Sequence, residues 1–200
     1  MRRAVTSIFI AAMLMQGSAV LAQDAEEPPA AESADAVTDL DLGQPAGPVV
    51  GQPYILEEFG DWAMRCVRAP EGESDPCNLY QLLSDDHGNA IAEFNFFRLP
   101  EGANAAAGAT VVVPLETLLT QQLTIAVDGQ NARSYPFRFC NAGGCVARLG
   151  FTAPEVEQFK RGAAATVRLV HAANPGQEIT LDLSLNGFTA GYEGTVTPGE

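Results

Sequence analysis

In Ile179-Thr180-Leu181-Asp182-Leu183-Ser184-Leu185-Asn186 every odd-numbered residue is apolar and every even-numbered one polar. A period of two suits a strand with one face on a core and the other in water, and it does not suit a helix. The period recurs along the chain. Leu123, Ile125 and Val127 alternate with Thr124, Ala126 and Asp128, and Trp62, Met64 and Cys66 with Ala63, Arg65 and Val67. Ala92, Phe94 and Phe96 alternate with Glu93, Asn95 and Phe97, Val167 and Leu169 with Thr166 and Arg168, and Tyr135, Phe137 and Phe139 with Pro136 and Arg138. Turn signals separate the runs, the clearest being Asp128-Gly129, His87-Gly88-Asn89, Pro100-Glu101-Gly102 and Asn174-Pro175-Gly176. Many short strands joined by turns, with no βαβ rhythm, predict an all-β chain built as an antiparallel β-sandwich. The alternation nominates Trp62, Phe94, Phe96, Phe137 and Leu183 for the core.

One short helix is expected. Thr152-Ala153-Pro154-Glu155 offers a hydroxyl N-cap, a proline in the first turn and a glutamate at N3. Val156 and Phe159 then face inward, and Gly162 ends the helix. A second helical candidate runs from Leu115 to Gln121, after Pro114.

The two ends of the chain bound its surroundings. Arg2 and Arg3 precede an apolar stretch from Ala4 to about Met15, and Val20-Leu21-Ala22 offers small side chains for a cut before Gln23. Residues 1–22 therefore read as a secretory signal peptide, too short in its apolar part for a membrane span. Residues 23–53 hold seven acidic side chains, five prolines and no Lys or Arg, which predicts a disordered acidic Pro/Ala-rich tether. Residues 54–200 are long enough for one cored domain, and no membrane span is expected after the leader. They carry nine Lys or Arg against eighteen Asp or Glu, a net charge of −9. A domain this acidic, without a basic run, is poorly matched to nucleic acid or to anionic lipid.

Export places the four cysteines in an oxidising compartment, where disulfides persist. Three pairings exist. Cys66 ends one predicted strand and Cys77 begins the next; Cys140 and Cys145 flank Asn-Ala-Gly-Gly between two others. Hairpins bring these ends together, so local pairing, Cys66–Cys77 and Cys140–Cys145, is the expectation. A zinc site or a redox centre would favour the closer C-x2-C spacing.

Other chemistry is sparse. The only histidines are His87, in a polar turn, and His171, in phase with Val167 and Leu169 at the end of a strand. There is no G-x-S-x-G, no phosphate-binding loop and no H-E-x-x-H. Asp85-Asp86 alone is too small an oxygen set for calcium. Nothing calls for a cofactor, a metal or a catalytic residue. Tyr80, Leu82 and Phe97 fall on the polar side of their strands and form a candidate interaction surface; cover by the Thr152 helix is the competing explanation.

Several motifs stand in a fixed order: Phe59-Gly60-Asp61-Trp62, Cys66, Cys77, Tyr80-Gln81, Val113-Pro114-Leu115, Ile125-Ala126-Val127-Asp128-Gly129, Pro136-Phe137, Cys140, Gly144-Cys145-Val146-Ala147 and Leu183-Ser184-Leu185-Asn186-Gly187-Phe188. This order resembles the invasion-associated locus B family of exported bacterial proteins and covers residues 54–190. The resemblance implies an immunoglobulin-like sandwich and a periplasmic, secreted or cell-surface location. Founding members are linked to host-cell entry, and the family brings no catalytic or ligand residues to carry over. The expected function is non-enzymatic binding, with an envelope or host protein as partner. The alternative is an envelope thiol-disulfide or hydrolytic enzyme using the Cys140–Cys145 loop.

Overall fold

The structure is a computed structural model that describes residues 41–43, 47, 49–85 and 87–195. The expected signal peptide, and residues 23–40 of the expected tether, lie outside the described residues.

Among the described residues eleven strands form two sheets, and every pairing between them is antiparallel. The strands are β1 (Pro53–Phe59), β2 (Trp62–Val67), β3 (Cys77–Ser84), β4 (Ala90–Arg98), β5 (Ala107–Val113), β6 (Leu123–Val127), β7 (Gln130–Tyr135), β8 (Phe137–Asn141), β9 (Gly144–Phe151), β10 (Ala164–Val170) and β11 (Glu178–Ser184). The larger sheet has seven strands in the order β1-β2-β3-β4-β5-β9-β8, and the smaller has four in the order β11-β10-β6-β7. Two helices follow β9 and β11: α1 (Ala153–Arg161) and α2 (Phe188–Gly194). The result is the antiparallel sandwich that the alternation requires, with its apolar rows buried between the sheets.

The core is aromatic at one end. Trp62, Phe94, Phe96, Phe151, Phe188 and Leu183 are fully buried. The Phe96 ring sits 5.2 Å from Phe151, 5.6 Å from Phe159 and 5.0 Å from Phe188, centroid to centroid. Those partners come from β9, α1 and α2, so one ring ties three elements together. Edge-to-face and offset pairs of this kind add to the area they bury.

α1 forms where the capping motif lies. The Glu155 carboxylate accepts from Thr152 N–H at 2.7 Å and from Thr152 Oγ1 at 2.6 Å, while Lys160 and Arg161 occupy the negative last turn. Val156 and Phe159 are its buried residues. Gly162 caps the C-terminus with ordinary extended angles, so its lack of a side chain matters for space. A Cβ there would lie 2.6 Å from Val127 and 2.8 Å from Leu185.

Three details depart from the sequence reading. There are two helices where one was expected. From Leu115 to Gln121 only Leu119–Gln121 is helical, as a single 3-10 turn. Phe137 is half-buried and packs against the core from its edge. Tyr135 closes β7 in the small sheet, whereas Phe137 opens β8 in the large one. Pro136, which has no N–H to give to a ladder, marks the crossing. A bulge between Phe137 and Phe139 then shifts the register, so Phe139 pairs with Val146 and stands exposed.

Candidate interaction site

Three of the motifs on which the resemblance rests converge on one joint. Gln81 on β3 presents its side-chain amide to the backbone of Ser184 at the end of β11: its Oε1 accepts from Ser184 N–H at 2.8 Å, and its Nε2 donates to Ser184 O at 3.1 Å. The Trp62 indole N–H donates to the same carbonyl at 2.8 Å. The Ser184 hydroxyl donates to Asp61 Oδ2 at 2.5 Å, and Asp61 N–H donates to Asn186 O at 3.2 Å. Gly187 has φ +87°, and a Cβ on it would sit 1.9 Å from Phe59 O. Only glycine fits a backbone approach this close. Gly60-Asp61-Trp62, Gln81 and Ser184-Leu185-Asn186-Gly187 thus couple the two sheets. They are structural parts, and no histidine enters the Asp61–Ser184 pair.

The outer face of the large sheet has a different character. Alternation places Trp62, Phe94 and Phe96 inward and Arg65, Tyr80, Leu82, Asn95 and Phe97 outward. Tyr80 lies between Ala63 and Asn95, Leu82 beside Glu93, and Phe97 beside Gly108. α1 packs on the opposite, inner side through Phe159, so it does not cover these residues. Phe97 is half-buried because its ring fills the space over Gly108, where a Cβ would come within 2.6 Å. Leu82 remains 47 % exposed. Ile55 and Val67, toward the β1 edge, and Phe139, on the β8 edge, are also exposed.

A fixed polar cluster sits among these apolar groups. Asn95 is 8 % exposed although it points outward. Its Oδ1 accepts from Arg65 at 2.6 Å and from Asn78 at 2.8 Å. Arg65 also reaches Glu93 at 3.1 Å and lies 3.9 Å over the Tyr80 ring. Burial pushes the Tyr80 phenol above its ordinary pKa, and the nearby Glu93 charge adds to that. Arg65 is therefore held by three partners at once, Asn95, Glu93 and Tyr80. Such a cluster holds its polar groups in fixed positions between the exposed Ile55 and Leu82.

Both disulfides are present with the expected local pairing, and no free cysteine remains. Each joins residues directly opposite one another on neighbouring strands, Cys66 with Cys77 and Cys140 with Cys145. Cys66 and Cys145 are buried, while Cys140 is exposed on the β8 edge. Beyond the first clasp, Asp75 locks the β2–β3 loop. It accepts from the Tyr54 hydroxyl at 2.5 Å, from Arg68 at 2.9 Å and from Ala69 N–H at 2.7 Å. The Tyr54 bond, then the Ala69 bond, holds the Asp75 carboxyl below its ordinary pKa.

The histidines are occupied elsewhere. His171 accepts Ala173 N–H on Nδ1 at 3.1 Å and faces Glu116 with Nε2 at 3.1 Å. His87 lies in a turn whose backbone N–H groups are collected by Asp85. Among the described residues, no three His, Cys, Asp or Glu side chains converge as metal ligands would, and no helix is long and apolar enough to cross a membrane.

A profile described as "Invasion associated locus B (IalB) protein" matches residues 62–196. The chain belongs to the invasion-associated locus B family. Two curated IalB relatives, both named invasion protein B homologues, come from Brucella abortus strain 2308 and biovar 1 strain 9-941. Each is 23 % identical over 144 residues, covering 72 % of this chain and 80 % of the relative. The fold is similar to the crystal structure of invasion associated protein b from Bartonella henselae, with a TM-score of 0.56 and 22 % identity over 68 % of this chain and 90 % of that one.

Within this IalB sandwich, the structure brings Tyr80, Leu82 and Phe97 onto one uncovered face. Asn95, Arg65 and Phe139 join them there, and the sequence reading had not singled them out for that role. An asparagine between Phe94 and Phe96 signals only an outward position. Its burial depends on Arg65 and Asn78 arriving from β2 and β3, which no local pattern reveals.

Proposed function

We propose that this IalB-family chain is an exported, non-enzymatic binding protein. Its leader is residues 1–22, its tether 23–53 and its working part 54–200. The single observation that carries the reading is the outer face of the seven-stranded sheet, where Leu82 and Ile55 are exposed beside the fixed Arg65–Asn95–Glu93 cluster and Phe139 is exposed toward the opposite edge. The partner is a macromolecule of the bacterial envelope or of a host cell, in line with the names of the Brucella and Bartonella relatives. Two disulfides suit a periplasmic or cell-surface site. The test is capture from envelope and host-cell extracts with the oxidised protein and with Leu82→Glu and Phe139→Glu variants. A band lost in both variants supports the reading; no band from either extract sinks it.

One observation favours a second reading, thiol–disulfide exchange: Cys140 is exposed while its partner Cys145 is buried. The reduction potential of that pair separates the two. A value below about −300 mV marks a structural bond, and one near about −120 to −180 mV marks an oxidant.

A further inference from the structure

Arg98 ends β4 in the same phase as Phe94 and Phe96, on the side that faces the core. It is half-buried, yet it makes no hydrogen bond or ion pair with any described residue. The other described arginines with no such partner, Arg138 and Arg148, are exposed. The Arg98 guanidinium is held 5.3 Å from the Tyr192 ring. Tyr192 is itself 8 % exposed, stacked on Phe188, and its hydroxyl has no hydrogen-bond partner among the described residues. That hydroxyl opens onto the cleft, where water can reach it.

Both residues line the same open cleft of about 490 Å³. The cleft lies under the β4–β5 loop, whose ends are tied by Leu99 N–H to Ala106 O at 3.2 Å; the small Gly102, Ala103 and Ala105 and the polar Asn104 line it. Ala153 lines it too, at the first turn of α1; Pro154 has no N–H, and the Glu155 and Val156 N–H groups bond to Thr152 O, so Ala153 offers the free backbone donor there. Pro100 supplies apolar wall, and the exposed Glu101 supplies one negative charge.

From this geometry we infer that the cleft is a binding site for a small monocarboxylate carried on a compact apolar body. The guanidinium fork accepts the carboxylate side-on, and the Tyr192 hydroxyl and the Ala153 N–H complete its hydrogen bonds. The apolar end rests against Pro100 and the loop alanines. A volume of this size suits a small molecule. Glu101, within a domain of net charge −9, disfavours dianions. The site is independent of the outer-sheet face and uses none of its residues.

The test is NMR titration of the oxidised protein with benzoate and hexanoate as probes and inorganic phosphate as the contrasting anion. Saturable shifts of the Arg98 Nε–Hε and Ala153 amide signals, with a Kd of about 1 mM or tighter, are expected for at least one acid. Arg98→Gln weakens that binding at least about tenfold, through loss of a charge-assisted pair. Tyr192→Phe keeps the ring in place and weakens it roughly fivefold, the size of one hydrogen bond. The inference is overturned if neither acid shifts these signals, if phosphate binds them more tightly than either acid, or if Arg98→Gln binds as well as the parent.

Discussion

Replacing Gln81 by methionine removes a side-chain amide at nearly constant volume and isolates what the inter-sheet joint contributes. In the parent, Gln81 makes two bonds to Ser184, accepting from its N–H at 2.8 Å and donating to its carbonyl at 3.1 Å. The carbonyl keeps the Trp62 indole N–H after the substitution. The Ser184 N–H keeps nothing, and an orphaned buried donor costs about 1–3 kcal/mol. Adding the net value of the second bond gives a loss of roughly 2–3 kcal/mol. For a domain of this size that lowers Tm by roughly 5–10 °C. Urea unfolding of the oxidised protein, followed by tryptophan fluorescence, reads the change as a lower midpoint at constant slope. Trp62 is the sole tryptophan and touches the joint, so the probe reports on the right place. Leu82→Gln, on the adjacent outer face, serves as the control and should stay within about 0.5 kcal/mol. A loss below about 0.5 kcal/mol for Gln81→Met would refute the claim that this amide couples the sheets.

The two disulfides should differ in worth with loop length. Chain entropy gives about 3 kcal/mol for the 11-residue separation of Cys66–Cys77 and about 2 kcal/mol for the 5-residue separation of Cys140–Cys145, so paired Cys→Ala variants should rank in that order by chemical denaturation. Asp75 has a depressed folded pKa, so its contribution is fully present above the ordinary carboxylate value of 3.8 and is lost as pH falls through the lower folded one. Melting temperatures of the parent and Asp75→Asn should therefore differ at neutral pH and merge only below pH 3.8; a constant gap down to strong acid would remove Tyr54–Asp75–Arg68 as the loop lock.

What the sequence makes legible follows from how local each signal is. Alternation at Ile179–Asn186 needs only one strand and one buried face, and α1 needs only the contacts among Thr152, Pro154 and Glu155. α2 carries no such local mark. Phe-Thr-Ala-Gly-Tyr-Glu-Gly holds two glycines, which disfavour helix by about 1 kcal/mol each, and is helical because Phe188 and Tyr192 pack into the aromatic cluster. Gly191 is the residue that lets the helix approach β3, where a Cβ would lie 2.5 Å from Leu79. The pairing of β5 with β9 and of β6 with β10 is equally silent in the sequence, since long-range pairing depends on the whole fold. Within the candidate site, Tyr80, Leu82 and Phe97 stand out as apolar residues out of phase. Arg65 and Asn95 look like ordinary solvent-facing polar residues until the register of β2, β3 and β4 sets them side by side.

The outer face of the seven-stranded sheet is proposed as the surface on which this protein meets its partner. A photo-crosslinking amino acid placed singly at Leu82, at Phe139 and at Asp182 tests it in native cells. Leu82 and Phe139 lie on the exposed outer face, and Asp182 is an exposed residue of β11 in the other sheet. The same discrete adduct is expected from positions 82 and 139 and none from 182. An adduct from 182 alone, or none from 82 and 139, would contradict it.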